Sequence, residues 1–217
     1  MTFKVAFTAF HIFGKIYIID TWGKEFYSRY YEIAKKKISA LEDELPNDIA
    51  KEFDFFYKFI VVYVAIYYAL EQLNIEKDQI EYAIWIMNEL GLKKLPKRFM
   101  LGLYDKEKNI KKLIKYQKMG EDGLLKDYDW KLKVQEDDDG SYHRIYYECG
   151  AYKLLKSKGY GYIFPCACRV DYLIANLGRI EFKRDKVIAD GDSYCDSHVI
   201  GMGYTEWAPE KGFISRK

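Results

Sequence analysis

Apolar residues recur at steps of three and four positions through the first two thirds of the chain, which is the period of an α-helix. The stretch from about Ile16 to Leu45 predicts one long helix that Pro46 ends, and Asn47-Asp48 can cap the next helix. That second helix should run to about Leu73 and, because most of its faces are apolar, should be central. Two more helices are predicted, one from about Lys77 to Leu90 and one that Asp105 caps and that reaches about Met119.

The pattern changes near Gly120. Polar and apolar residues alternate on both sides of Asp139-Gly140, and such alternation around Asp-Gly is a strong hairpin signal. It predicts two paired antiparallel strands, from Trp130 to Gln135 and from Tyr142 to Cys149. Further on, the sequence predicts a helix after Gly150 and a helix that begins near Pro165 and covers Cys168 to Leu177. It also predicts strands over Arg179 to Lys183 and Cys195 to Gly201.

These elements predict an α+β fold, in which an N-terminal helical region is followed by a small antiparallel sheet with packed helices. We expect a single domain over residues 1–217. Its helical part would cover about 1–120, and its α+β part about 121–217.

Composition and charge narrow the classes of function. Of 217 residues, 49% are apolar and 31% charged, which is a globular balance, and a net charge of +2 argues against a nucleic-acid partner. The apolar run from Phe59 to Leu70 is well short of the roughly 20 residues of a spanning helix, so it is interpreted as a buried core helix and no membrane partner is expected. Four cysteines without an export signal predict reduced thiols and a cytoplasmic protein. The expected partner is a small-molecule substrate or ligand, and a homo-oligomer is left open.

All four cysteines lie in the last third of the chain, between His143 and His198. Cys168 and Asp171 are three apart in a predicted helix and should share one face, where the carboxylate raises the thiol pKa and suits the role of a base. Cys195 and His198 should point to opposite sides of their strand. The inert alternative is a buried thiol that packs as a small hydrophobe, and it is favoured for Cys166. His11 and His143 are interpreted as ordinary surface or core histidines.

Several of these residues stand in a familiar order. They are Cys149, "CRVD" at Cys168–Asp171, "FKR" at Phe182–Arg184 and "ADGDSYCD" at Ala189–Asp196. The run from about Tyr146 to Val199 resembles the family named for L-2-amino-thiazoline-4-carboxylic acid hydrolase. The chain departs from that family at Gly150, where a Pro often stands, and at Ser197 and His198, where an aromatic Phe is usual.

The resemblance implies hydrolytic opening of a thiazoline- or amidine-type ring at its C–N or C–S bond. Cys168 would be the nucleophile and Asp171 would orient it or carry protons, while Cys195 and Asp192 complete the catalytic pocket. Substrate binding would involve Cys149, Arg184 and His198, and Arg184 could hold a substrate carboxylate through paired hydrogen bonds.

Two other functions remain open from the sequence. One is a small-molecule or metal sensor without turnover, because the Gly-Asp-x-x-Cys ending also resembles binding domains of the vinyl reductase type. The other is a protein-interaction module formed by the aromatic helices. No cofactor is predicted, and the alternative is zinc or iron held by Cys149, Cys168, Cys195 and His198.

Overall fold

A computed structural model describes residues 3–42, 44, 54–94 and 105–205, and it confirms the α+β class. The described part contains seven α-helices: α1 Phe3–Trp22, α2 Lys24–Glu42, α3 Asp54–Gln72, α4 Lys77–Leu92, α5 Lys106–Glu121, α6 Gly150–Ser157 and α7 Phe164–Gly178. It also contains four strands: β1 Lys131–Glu136, β2 Tyr142–Glu148, β3 Ile180–Lys183 and β4 Cys195–Met202.

The chain divides into two compact units, one with α1 to α4 and one with α5 to β4. In the first unit α3 is the most buried helix, as its apolar faces predict, and side chains from Ile60 to Leu70 are almost all buried. None of the helices in the described ranges has the length and apolar content needed to cross a membrane. The expectation of one domain over residues 1–217 stays a prediction.

The helix predicted from Ile16 to Leu45 is two helices, and this prediction was wrong about continuity. The break is at Gly23, which has φ +91° and so adopts a conformation that side-chain-bearing residues rarely take. The chain therefore turns between α1 and α2 while the helical period continues on both sides. The predicted stop at Pro46 and cap at Asn47-Asp48 lie outside the described residues.

The predicted hairpin is confirmed, with β1 and β2 joined by residues 137–141. Gly140 has φ +85°, and the Gly140 N–H donates to the Asp137 carbonyl, as in a type I turn followed by a left-handed residue. The sheet is antiparallel in the order β1-β2-β4-β3. One core cluster joins it to α5 and α7: Ile110, Tyr142, Tyr172, Ala175, Ile180, Phe182 and Val199.

Local signals set the other boundaries close to their predicted places. The Asp105 side chain accepts from the Lys108 N–H at the start of α5, so this predicted cap is confirmed. Pro165 lies in the first turn of α7, and that helix ends at Gly178, followed by Arg179 in a left-handed conformation with φ 53°.

His11 is a satisfied core histidine, as predicted. It is buried in the first unit, its Nδ1 is 2.8 Å from the Phe7 carbonyl, and its Nε2 is 2.7 Å from the Tyr30 hydroxyl. Burial lowers the pKa of His11 from 6.5 to about 4, although the bond to Phe7 opposes that shift. The neutral ring is therefore the form that the folded protein accommodates.

Acidification should consequently destabilise the fold through His11. The unfolded chain binds this proton below pH 6.5, whereas the folded chain resists it until about pH 4. The free energy of unfolding should fall by about 2 kcal/mol from this group between pH 7.5 and pH 5. Urea unfolding of wild type and His11→Gln at both pH values gives the fall in unfolding free energy for each protein. The difference between the two falls is the share of His11, and equal falls would contradict the prediction.

Candidate functional site

Arg184 connects the end of β3 to α7 inside the second unit. Its side chain is only 4% exposed, and its Nη1 donates to Asp171 Oδ2 at 2.7 Å. Its Nη2 donates to the Cys168 carbonyl at 2.6 Å. The guanidinium also lies 5.1 Å from the ring centroid of Tyr172 and 5.5 Å from that of Phe182. Helix α7 thus presents Cys168 and Asp171 to one buried cation, while the Asp171 side chain remains 47% exposed.

The thiols of Cys149, Cys168 and Cys195 influence one another electrostatically, and Cys168 and Cys195 also interact with Asp171 and Arg184. Burial raises the pKa of Cys149 to about 12. Hydrogen bonds from the backbone N–H groups of Tyr152 and Ala151 and from the Trp130 side chain lower that pKa, but by less. Burial also raises the pKa of Cys168 well above its ordinary value, and Arg184 offsets only part of that rise. The pKa of Cys195 is raised by burial too. All three are neutral thiols at physiological pH.

The Gly-Asp-x-x-Cys-Asp segment holds the backbone that follows Arg184. Asp196 Oδ1 accepts from the N–H groups of Asp185 at 2.9 Å and Lys186 at 2.6 Å. Asp192 Oδ2 accepts from the Val187 N–H at 2.7 Å, and Cys195 Sγ accepts from the Ile188 N–H at 3.2 Å. Four consecutive amides, residues 185–188, are therefore bound by side chains of one motif. We call this set of bonds the loop clamp.

Gly191 is the glycine of the same motif, and its backbone conformation explains why a glycine stands there. It has φ +102°, a left-handed conformation that closes the short helical turn at Ile188–Asp190. With that turn in place, Asp192 lies where its carboxylate reaches the Val187 amide. The motif therefore combines one backbone requirement with three side-chain acceptors.

His198 lies away from the thiols. It is three residues beyond Cys195 in β4, and its ring stacks on that of His143 at 3.9 Å. Within the described part of the chain, no set drawn from the three thiols and His198 brings three ligand atoms within 4.8 Å of one another. Cys166 is buried, in keeping with its interpretation as a small hydrophobe. The assignment of His198 to substrate binding stays a prediction.

Sequence reasoning missed a second ion pair. Arg169 has a side chain only 2% exposed, and its Nη2 donates to both carboxylate oxygens of Asp190 at 3.1 Å. This bond joins "CRVD" to "ADGDSYCD", as Arg184 joins "FKR" to "CRVD". Arg169 and Asp190 were visible inside the two motifs, but nothing local indicated that they pair. Tyr146 was also missed: burial raises its pKa, and Asp171 and Cys149 contribute to the rise.

A cavity of about 270 Å³ lies elsewhere on the second unit, along residues between α5, β1 and α6. None of the predicted site residues lines it. Its walls include Lys126, Lys131 and Lys153 together with Asp127 and Asp129. The cavity and the thiol cluster are separate features of this unit.

Comparison with known proteins gives one family. The model of the L-2-amino-thiazoline-4-carboxylic acid hydrolase family matches residues 52–199, which is more than half of the chain. No curated protein and no solved structure matches the chain.

The raised pKa values predict slow alkylation of the thiols. At pH 7.5, iodoacetamide should modify Cys149 at least about 100-fold more slowly than a cysteine in a short peptide, because so little thiolate is present, and Cys168 should also react more slowly than the peptide. Peptide mass spectrometry after timed quenching gives the rate for each residue. In guanidinium chloride all four cysteines should react at the peptide rate. Rapid modification of Cys168 in the folded protein would contradict this prediction.

The loop clamp predicts a stability cost for losing its acceptors. In Asp192→Ala the Val187 amide, in a residue only 1% exposed, is left without its carboxylate partner. The expected loss is about 1–3 kcal/mol of unfolding free energy, while Asp192→Asn keeps an acceptor oxygen and should lose less. The exposed Asp127→Asn is the matched control. Chemical unfolding that ranks Asp192→Ala with the control would show that the clamp adds nothing.

Proposed function

The chain belongs to the L-2-amino-thiazoline-4-carboxylic acid hydrolase family, and from this membership we propose that it hydrolyses a small thiazoline- or cyclic-amidine-type ring. The observation that carries the proposal is the half-exposed carboxylate of Asp171, held in one orientation by the buried Arg184. A fixed carboxylate with an accessible side is suited to accept a proton from an attacking group.

The proposed reaction adds one water molecule across a ring bond. The ring carbon between nitrogen and sulfur is electrophilic, so the water oxygen bonds to it while Asp171 takes the proton. Asp171 passes that proton to the ring nitrogen, onto which the electron pair of the ring C=N bond has moved. When the tetrahedral carbon then breaks its ring C–N or C–S bond, its hydroxyl becomes a carbonyl, and the hydroxyl proton passes through Asp171 to the departing nitrogen or sulfur. Asp171 ends in its original state, as a general base and acid must.

The neutral thiols favour water as the nucleophile. Cys168 could attack only if Asp171 removed its proton during the attack, because burial keeps the pKa of this thiol well above its usual range. In the proposal, Cys168 and Cys149 contact the substrate as neutral thiols, and Arg184 positions Asp171. Asp192 and Cys195 position the backbone after Arg184 through the loop clamp.

This assignment revises the expected role of Arg184. Its Nη1 and Nη2 already donate to Asp171 and to the Cys168 carbonyl. A substrate carboxylate would have to displace these bonds to be held by the same groups. We therefore place Arg184 in the support of the base and leave the substrate carboxylate to other donors.

The test is turnover of L-2-amino-thiazoline-4-carboxylic acid by purified protein, followed by mass spectrometry for a product heavier by one water. Asp171→Asn should lower kcat on the order of 100-fold or more, since it removes the base while keeping an oxygen that can accept from Arg184. Asp185→Asn removes an equal charge at an exposed position beside Arg184 and should keep near wild-type activity.

Cys168→Ala distinguishes water from the Cys168 thiol as the nucleophile. If water attacks, this variant keeps substantial activity, and intact-protein mass spectrometry finds no covalent adduct during turnover. An inactive Cys168→Ala together with an adduct on Cys168 in the wild type would replace water by the thiol. Binding of the ring compound with no turnover by wild-type protein would overturn the hydrolase and favour the sensor.

A further inference from the structure

A second cluster of chemically capable side chains lies at the β1–β2 hairpin, and it contains both histidines of the second unit. His143 on β2 and His198 on β4 are direct partners in the antiparallel register. Their rings stack with centroids 3.9 Å apart and planes 15° from parallel. Cross-strand partners point to the same side of a sheet, so the two imidazoles leave one face together.

The hairpin turn adds a carboxylate to this pair. Asp137 directly follows β1, and its N–H donates to the Ser141 carbonyl at 3.0 Å. Asp137 Oδ2 lies 3.1 Å from His143 Nε2 and 3.7 Å from His198 Nε2. One oxygen and two ring nitrogens thus converge, and the turn that places the oxygen is the one that Asp139-Gly140 specifies.

These separations suit a bound cation. In a tetrahedral zinc site with bonds of about 2.0–2.1 Å, neighbouring ligand atoms are roughly 3.3 Å apart. The two Asp137 distances, 3.1 and 3.7 Å, lie on either side of that value. Among the described residues, the ligand atoms of Asp137, His143 and His198 form a group in which all lie within 4.8 Å of one another.

The side chains have room to complete the geometry. The stacked rings must splay so that their nitrogen lone pairs meet, and neither ring is enclosed: His143 is 36% exposed and His198 29%. The Ser141 hydroxyl donates to Asp137 Oδ2 at 2.9 Å and lies 3.0 Å from His198 Nε2. Ser141 thereby orients the carboxylate toward the histidines, which is the usual task of a residue behind a metal ligand.

We propose that Asp137, His143 and His198 form a binding site for a divalent transition metal ion, with Zn²⁺ as the best match. Two imidazoles and one carboxylate favour zinc and its first-row neighbours over Mg²⁺ and Ca²⁺, which prefer oxygen ligands alone. Three protein ligands leave a fourth position open to water or to an added molecule. The site is separate from the thiol cluster, and the proposal does not depend on the hydrolase function.

Isothermal titration of ZnCl₂ into the chelator-treated full chain tests the site. One ion per chain is expected, and His198→Ala and His143→Ala should each weaken binding by about tenfold or more. His198→Gln keeps a hydrogen-bond partner for Ser141 but is a poor zinc ligand. Weak zinc binding by this variant therefore reports the loss of the ligand rather than a loss of folding. Asp138→Asn removes the same charge from the same turn at an exposed position and should bind like wild type.

A variant with Cys149, Cys168 and Cys195 all changed to Ser separates this site from a thiol site. It should retain the zinc affinity, and its Co²⁺ complex should lack the near-ultraviolet charge-transfer band that sulfur ligands produce. Binding that is lost in the Cys variant, or that is unaffected by both His→Ala changes, would overturn the proposal. The same holds if wild-type protein binds no zinc at millimolar concentration, because the hairpin would then be only a hydrogen-bonded network.

Discussion

Arg184 enters the interior of the second unit with a permanent charge, and a buried charge is tolerated only when its donors are bonded. Asp171 and the Cys168 carbonyl meet most of that demand from α7, and the rings of Tyr172 and Phe182 face the guanidinium. In the part of the chain that the structure describes, Arg184 Nε is buried without a hydrogen-bond partner. Since Arg184 follows β3, these bonds fix the end of the strand against the helix. Removing one partner from such an arrangement costs more than building it gains, so the two elements depend on each other.

The same arrangement explains why the pKa values of the thiols are raised rather than lowered. Asp171 already neutralises the Arg184 charge, so little positive potential is left to stabilise a thiolate at Cys168. Burial then decides the protonation of Cys149, Cys168 and Cys195. In the proposed mechanism, the reactivity comes from a placed carboxylate rather than from an activated sulfur. That is a different distribution of roles from the one that a cluster of cysteines first suggests.

Short-range chemistry predicted most of the fold. The Asp139-Gly140 turn, the Asp105 cap and Pro165 at the start of α7 each act over a few residues, so their effects can be read locally. The break at Gly23 was missed because the helical period runs on past it.

The candidate site was predicted only as a list of residues. Asp171 and Arg184, Arg169 and Asp190, and His143 and His198 pair across separate elements, and their pairing depends on register and on packing against the sheet. No local pattern carries that information. The predicted list therefore combined the residues around Arg184 with His198, which belongs to the cluster at the β1–β2 hairpin.

The loop clamp alters what the Gly-Asp-x-x-Cys-Asp pattern can be taken to diagnose. The bonds of its acceptors described above all go to main-chain amides, so the pattern encodes the path of the backbone. A chain that needs this path would carry the pattern whether or not it turns over a substrate. As a marker of enzymes within a genome, the pattern is therefore a sign of shape, and under the proposed mechanism the acid opposite the buried arginine is the better sign of chemistry.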